Sequence, residues 1–303
     1  MDEERLRRAR ISLEGLSVAD AAGGFFEFNS RVAARALQTR LLPEVMWHYT
    51  DDTNMALSIF SILRQFGHID QDALARDFAN HFDRTRGYGL GARVMMNRIA
   101  AGEPWRAVAG ALFNGQGSYG NGGAMRAAPI GAYFADDLST AISSARLSAE
   151  VTHLHPEGVA GAVAVAVAAA FAWNQRHQPF DALAFLQAII RETPASEVRD
   201  GLERALALPD DVHVEEAVNM LGNGSRVSAQ DTVPLALWLA ARNMTNYEEG
   251  IWQAIEAGGD VDTLCAIIGG VVACYTGLRG IPDTWIVQRE PLPDWAFDEQ
   301  VES

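Results

Sequence analysis

The sequence has 303 residues, of which 49% are apolar and 21% are charged, and its net charge is −15. This composition is typical of a globular protein with a large core rather than of a disordered chain. The negative charge argues against a nucleic-acid backbone or an anionic membrane as a partner, because both need a basic surface. We therefore expect no direct nucleic-acid binding and no membrane, whereas an anionic small molecule could bind where metal ions or backbone amides supply positive potential.

Three features predict a cytoplasmic location. The two cysteines, Cys265 and Cys274, lie in one apolar segment and show neither a disulfide framework nor metal-thiolate spacing. Met1–Arg10 alternates in charge where a signal peptide would be apolar. The longest apolar run, Gly158–Trp173, is rich in alanine and shorter than a typical membrane span.

The first predicted helix covers Arg5–Ala22, and the pair Gly23 and Gly24 predicts its end. Glu27 follows within the aromatic stretch Phe25-Phe26-Glu27-Phe28. A surface glutamate at a helix end and a functional carboxylate are both compatible with this position. Asp20 is equally open, since it could support a metal ligand or be a polar residue near the helix end.

Thr50-Asp51-Asp52-Thr53 follows the predicted loop Leu41–Tyr49 and opens a helix predicted to reach Arg64. An N-cap explains one such residue. It explains the whole cluster less well, because adjacent carboxylates repel each other unless a cation lies between them. Carboxylate and hydroxyl oxygens are the ligands that Mg2+ prefers, so the cluster is a candidate half of a metal site.

After predicted helices over Asp70–Phe82 and Leu90–Ala101, the stretch Phe113–Arg126 is rich in glycine. Glycines allow positive φ and a close approach of the backbone, so successive N–H groups can bind an anion. The pattern is neither a P-loop nor a dinucleotide fingerprint. A long turn between helices would explain the glycines, but not Ser118, Tyr119 and Asn121.

Helical periodicity then continues almost to the end of the chain, and strand-like alternation is almost absent. The predicted helices cover Ser139–Leu154, Gly158–Gln175, Ala182–Glu192, Glu197–Ala207, Val214–Met220, Thr232–Arg242, Asn246–Ala257 and Asp262–Thr276. This pattern predicts an all-α fold and a single compact multi-helix domain over residues 1–303. The tail Ile281–Ser303 is predicted to lie across the surface.

The last of these helices opens with a second oxygen-rich cluster, Gly258-Gly259-Asp260-Val261-Asp262-Thr263. We expect it to converge with the first cluster on one site. Of the seven histidines, His153 and His155 form a His-x-His pair, but no third nitrogen or sulfur ligand lies nearby in the sequence. Packing or ligand hydrogen bonding by one imidazole is the favoured interpretation.

Taken together, Thr50–Thr53, Gly117–Arg126 and Gly259–Thr263 resemble the ADP-ribosyl-acceptor hydrolase family, whose members are also called ADP-ribosylglycohydrolases or dinitrogenase-reductase-activating glycohydrolases. Within the family, Arg86–Gly89, Phe113–Arg126 and Ala145–Ser148 most resemble the branch that removes ADP-ribose from serine. The resemblance implies an all-α fold with two Mg2+ or Mn2+ ions in a central cleft. It also implies that ADP-ribose and ADP-ribosylated protein are the partners.

The resemblance assigns roles position by position. It implies metal ligation by Thr50, Asp51, Asp52, Asp260, Asp262 and Thr263. It implies contacts with the diphosphate and ribose by Gly117, Ser118, Tyr119 and Gly120, with Phe113 near the adenosine and His153 in the same pocket. Glu27 matches the catalytic glutamate of the serine-specific branch. Val261 departs from the family pattern, and we expect its side chain to face away from the metals.

Two alternatives stay open. The same cleft could serve ADP-ribosylarginine, ADP-ribose polymers or O-acetyl-ADP-ribose, since only residues on the acceptor side would differ. A non-catalytic ADP-ribose-binding protein is the other alternative, and the two carboxylate clusters argue against it because a structural protein gains nothing from packed like charges.

Overall fold

Helices form nearly all of the regular structure in the computed structural model, which describes residues 2–27, 29–40, 42–209 and 211–297. Within these ranges the only β-type pairing is two isolated bridges, Trp47 with Arg289 and Gly120 with Ser228. The predicted all-α fold is confirmed, and the helices pack into one compact domain.

The α-helices are numbered in chain order. The first nine are α1 Glu3–Glu27, α2 Ser30–Thr39, α3 Asp51–Phe66, α4 Gln71–Asn80, α5 Leu90–Ala100, α6 Trp105–Gly110, α7 Leu112–Gly115, α8 Ala128–Tyr133 and α9 Leu138–Glu150. The others are α10 Pro156–Gln175, α11 Ala182–Glu192, α12 Glu197–Leu206, α13 Val214–Leu221, α14 Ala229–Arg242, α15 Tyr247–Ala257, α16 Val261–Thr276 and α17 Asp283–Gln288. Short 3-10 turns form at Asn121–Gly123, Leu278–Gly280 and Asp294–Ala296.

The packing of α1 against α16 sets the position of the site. Glycines allow the two backbones to come close: a Cβ added to Gly15 would lie 2.3 Å from the Cβ of Ala273, and one added to Gly269 would lie 2.4 Å from the Cβ of Ala19. Real Cβ atoms do not approach so closely. The crossing therefore depends on glycine at both positions, and it brings the C-terminal half of α1 beside the first turn of α16.

The predicted end of α1 at Gly23 and Gly24 is wrong, because the helix continues to Glu27. Both glycines serve close packing instead of termination. A Cβ on Gly23 would lie 2.8 Å from the Cα of Asp262, and one on Gly24 would lie 2.8 Å from the Cγ2 of Thr50. The extra turn of helix carries Glu27 to the point where α3 and α16 begin.

Helix α10 is the longest apolar helix in the described part of the chain. It has 20 residues and is apolar enough to cross a membrane by length and composition. It is longer than the predicted Gly158–Gln175 because His155 caps it and Pro156 occupies its first turn. Within the fold, 83% of its most apolar window is buried against protein, which is the position of a core helix.

The tail lies on the surface as predicted, but it is anchored by buried groups. Trp285 of α17 packs against Trp47 with 5.9 Å between ring centroids. Arg289 forms an ion pair of 3.0 Å with Glu14 of α1. Residues 298–303 of the predicted tail lie outside the described residues. The first anchor ties this segment to the residues before α3, and the second ties it to α1.

Candidate active site

The two oxygen-rich clusters meet in the structure, as predicted, where α1 ends and α3 and α16 begin. Carboxylate oxygens of Asp20, Asp52 and Asp262 lie within 4.8 Å of one another. Those of Glu27, Asp260 and Asp262 form a second such group. Asp51 lines the adjoining cavity, whose volume is about 580 Å³. Six carboxylate side chains from three chain segments thus surround one region.

Asp20 organises the first turn of α3. Its carboxylate accepts the hydroxyl of Thr50 at 2.7 Å and the backbone N–H of Thr53 at 3.0 Å, and also the backbone N–H of Thr50 and the hydroxyl of Thr53. Asp20 is 0% exposed, although it lies on a helix. The sequence left open whether Asp20 supports a metal ligand or is only a polar residue near the helix end. Its bonds to Thr50 and Thr53 favour the first interpretation, because they orient the cluster at the start of α3.

The cluster is a region of strong negative potential. Burial, and next the charge of Asp20, raise the pKa of Asp51 to about 7. Burial raises the pKa of Asp52 and of Asp262 well above the usual aspartate value, and the charges of neighbouring aspartates add to both shifts. Neighbouring carboxylates at this spacing stay ionised together only when a cation compensates them.

The surroundings of Asp52 Oδ1 indicate whether a metal ion fits this site. Asp52 is 2% exposed, and its Oδ1 has no hydrogen-bond partner among the residues described. A buried carboxylate oxygen without a partner is costly. The surrounding donors are carboxylate and hydroxyl oxygens, which suit Mg2+ or Mn2+. The residues present therefore fit a divalent cation.

The six predicted metal ligands do not all line the same cavity. Asp51, Asp52, Asp260, Asp262 and Thr263 line the cavity. Thr50 instead lies in the wall of a neighbouring cavity, where its hydroxyl donates to Asp20 Oδ1 at 2.7 Å and lies 3.1 Å from Asp52 Oδ2. Its Oγ1 also accepts the backbone N–H of Asp52, so Thr50 holds Asp52 and the first turn of α3 in place.

The side chain of Asn121 joins the glycine-rich stretch to the second cluster. Its Nδ2 donates to Asp260 Oδ2 at 2.6 Å and to Thr232 Oγ1 at 3.0 Å. These hydrogen bonds give Asn121 a structural role, which a simple turn between helices would not provide. Val261, between the two aspartates, is buried in the apolar core and does not line the cavity, as predicted.

Glu27 is the last residue of α1 and faces the second cluster. Its Oε2 accepts the backbone N–H of Val261 at 3.0 Å and that of Asp262 at 3.4 Å, so the carboxylate lies at the N-terminus of α16. Burial, and next the charge of Asp260, raise the pKa of Glu27. Its aromatic neighbour Phe26 packs in the core against Trp252, and Phe28 lies outside the described residues.

In the glycine-rich stretch, Ser118, Tyr119 and Gly120 line the cavity. The backbone N–H groups of Ser118 and Tyr119 have no hydrogen-bond partner within the described ranges, so they are available to an anion. Gly117 does not line the cavity. Its φ is +78°, and an added Cβ would lie 2.8 Å from the backbone nitrogen of His155. Gly117 therefore allows the turn to pack closely against His155 outside the cavity lining.

An aromatic pair lies at the mouth of the cavity. Phe113 is 50% exposed, and its ring lies 4.8 Å from that of Tyr119. Phe113 and Asn114 have φ values of +51° and +57°, an unfavourable conformation for residues other than glycine. The exposed Phe113 ring and its contact with Tyr119 form a surface on which a planar ligand ring could stack.

The two histidines of the His-x-His pair serve different parts of the structure. His153 lines the cavity, and its Nδ1 lies 2.7 Å from the hydroxyl of Thr152. Burial, and next the charge of Arg126, lower the pKa of His153 to about 3, so the ring is neutral at pH 7. His155 accepts the backbone N–H of Glu157 and caps α10.

One wall of the cavity was not predicted. It is formed by the segment Gly224–Val227, which precedes α14. Gly224 has φ of +85°, and an added Cβ would lie 2.6 Å from the Cβ of Asp260. Buried Asp231 accepts the backbone N–H of Arg226 at 2.9 Å and orders the segment. The turn composition of Gly222-Asn223-Gly224-Ser225 was the only signal in the sequence.

Comparison with known proteins places this geometry in a family. A model of the ADP-ribosylglycohydrolase family matches residues 1–302. The chain is 30% identical to ADP-ribosylhydrolase ARH3 of Homo sapiens, over 92% of this chain and 88% of that protein. It is 29% identical to an uncharacterized protein of Archaeoglobus fulgidus, over 99% and 95% of the two chains.

The fold is also similar to a solved structure, an ADP-ribosylglycohydrolase-related protein complex. The TM-score is 0.64 at 26% sequence identity, and the match covers 93% of this chain and 92% of that chain. The similarity therefore extends over the helices that form the site as well as over the carboxylate motifs.

Proposed function

The chain belongs to the ADP-ribosylglycohydrolase family, and we propose that it removes ADP-ribose from serine side chains of proteins with the help of two divalent cations. Family membership makes the protein a glycosyl hydrolase of ADP-ribosylated substrates. The serine linkage rests on the resemblance of Arg86–Gly89, Phe113–Arg126 and Ala145–Ser148 to the serine-specific branch.

One observation carries the proposal. The carboxylates of α1, α3 and α16 converge beside a cavity of about 580 Å³, and buried Asp52 Oδ1 has no partner. A cavity of this size accommodates a nucleotide-like ligand. The same region thus offers cation ligands and room for the reacting sugar.

The cations would be held by Asp51, Asp52, Asp260, Asp262 and Thr263, with Thr50 supporting Asp52. When bound there, such ions would supply Lewis-acid chemistry to the sugar hydroxyls and to a water molecule beside them. Mg2+ and Mn2+ both suit this set of oxygen donors. The family is metal-dependent, and the number and identity of the ions are part of our proposal.

The rest of the cavity would hold the ADP part of the substrate. The Phe113 and Tyr119 rings, 4.8 Å apart, are placed to stack with adenine. The free N–H groups of Ser118 and Tyr119 would donate to the diphosphate. Backbone donors explain how a chain with a net charge of −15 binds an anionic ligand. Binding of this remote part would position the reacting ribose at the carboxylates.

Glu27 is our candidate for proton transfer. Hydrolysis of an O-glycosidic bond needs a proton on the leaving serine oxygen and a base for the attacking water. Oε2 of Glu27 accepts two backbone amides of α16, which holds the carboxylate beside Asp260 and Asp262. Burial, and next the charge of Asp260, raise its pKa, and this direction suits a group that must take up and release a proton.

The buried, free thiols of Cys265 and Cys274 support the cytoplasmic location that we propose for the protein. Burial raises the pKa of the Cys274 thiol to about 12, so this cysteine is unreactive.

The test is a panel of defined linkages. Peptides carrying ADP-ribose on serine or arginine, ADP-ribose polymer and O-acetyl-ADP-ribose are incubated with the protein, with Mg2+ or with chelator, and the products are identified by mass spectrometry. We expect fastest release from the serine-linked peptide, and only with the metal. Faster release from another member of the panel would replace the serine assignment by that linkage.

A further inference from the structure

Arg126 is a buried cation that the proposed mechanism does not use. The side chain is 0% exposed, and no carboxylate pairs with it in the part of the chain that the structure describes. Its Nη2 donates to Thr152 Oγ1 at 2.7 Å and to the backbone carbonyl of Ser148 at 3.3 Å, and its guanidinium lies 4.6 Å from the centre of the Phe78 ring. A buried charge without an ionic partner is costly, so these few contacts determine its position.

The contact with Thr152 has a consequence for the next residue. A guanidinium has only donors, so Thr152 Oγ1 must accept from Arg126. Oγ1 keeps a second lone pair, but among the described residues its proton has no acceptor other than His153 Nδ1, 2.7 Å away. Donation to Nδ1 satisfies this buried hydroxyl, so Nδ1 is the acceptor of the bond. In a neutral imidazole, the other nitrogen, Nε2, carries the proton.

The protonated nitrogen faces the ligand cavity. A Cβ added to Gly120 or to Gly122 would lie 3.1 Å from His153 Nε2, so glycine leaves this nitrogen uncovered. No hydrogen-bond partner of Nε2 occurs within the described residues. A Cβ added to Gly120 would also lie 3.2 Å from Ser118 Oγ, so His153 Nε2 belongs to the same cavity wall as Ser118, Tyr119 and Gly120.

We propose that Arg126 and Thr152 are positioning residues that keep His153 in its Nε2–H tautomer, so that this N–H donates to a diphosphate oxygen of the bound ligand. The opposite tautomer would present a lone pair to an anionic oxygen and would repel it. The identity of the ligand rests on the proposed function, whereas the tautomer is a property of the free protein.

The test uses Thr152→Val, which keeps the shape of the side chain and removes the hydroxyl. In the unaltered protein, nitrogen-15 NMR should show His153 as a single Nε2–H tautomer, and in the variant a mixture of both. The Kd for ADP-ribose should rise about 10-fold, as expected for a lost hydrogen bond to a charged acceptor. The Kd for adenosine, which has no diphosphate, should stay the same.

Two further variants separate positioning from packing. Thr152→Ser restores a hydroxyl and should restore both the tautomer and the ADP-ribose affinity. Thr193→Val is the matched control, because Thr193 is 1% exposed, donates to the carbonyl of Ile189 at 2.8 Å and does not line the cavity. It should lose stability without a change in tautomer or affinity.

The proposal is overturned if the unaltered protein shows the Nδ1–H tautomer. It is also overturned if Thr152→Val keeps a single Nε2–H tautomer and normal ADP-ribose affinity, or if Thr152→Ser fails to restore them. If the unaltered protein binds no ADP-ribose, the proposed function and the diphosphate role of His153 both fail, and the tautomer measurement still decides whether Arg126 and Thr152 position the ring.

Discussion

Gly23→Ala tests whether the close contact of α1 with α16 sets the geometry of the metal site. The new Cβ would lie 2.8 Å from the Cα of Asp262, 2.8 Å from the carbonyl oxygen of Val261 and 3.0 Å from the Cβ of Cys265. Two of these atoms belong to the backbone and cannot rotate away. The helices must therefore separate by on the order of half an ångström to restore normal contact distances.

The expected effect differs between stability and metal affinity. Overpacking costs about 1–3 kcal/mol, and replacing glycine by alanine within a helix offsets about 1 kcal/mol of this cost. The net loss of stability is therefore small, about 0–2 kcal/mol. Metal affinity should fall by about 10-fold or more, because Asp262 and Glu27 move relative to the aspartates of α3, and a site this crowded tolerates little displacement.

The assay combines urea denaturation with calorimetric titration of Mn2+ into the metal-free protein. Gly91→Ala is the control, because this glycine is also helical and an added Cβ meets no atom within 4 Å. The control should be as stable as the unaltered protein or slightly more so, with the same metal affinity. Normal stability together with normal Mn2+ affinity in Gly23→Ala would refute the reasoning.

Three further predictions concern the site itself. Chelation should abolish turnover, and Mg2+ or Mn2+ should restore it. Asp52→Asn and Asp262→Asn should each lower metal affinity and rate, while circular dichroism shows that the variants stay folded. Full activity of metal-free protein would contradict this prediction. Glu27→Gln should bind ADP-ribose and metals almost normally while turnover falls on the order of 10²-fold, and near-normal turnover on every linkage would remove Glu27 from the mechanism. Gly120→Val should weaken ADP-ribose binding in calorimetry and leave metal affinity intact, because its side chain would crowd His153 Nε2 and Ser118 Oγ; unchanged affinity would make the loop a structural turn.

Features that depend on local chemistry could be predicted from the sequence. The helix Ala182–Glu192 forms with the predicted bounds, because its amphipathic pattern and its cap Asp181 lie within the segment itself. The two oxygen-rich clusters were recognisable for a similar reason. Adjacent aspartates at a helix start repel each other, and this local cost indicated a cation before any contact was known.

Features that depend on contacts between distant segments were decided by the tertiary structure alone. Glycine is unfavourable within a helix, so Gly23 and Gly24 predicted the end of α1. The backbone of α16 and the side chain of Thr50 instead pack so closely that glycine is required at both positions, and α1 continues to Glu27. The wall Gly224–Val227 and the buried Arg126 were missed for the same reason. Their roles come from Asp260 and from Thr152, partners that no local pattern connects to them.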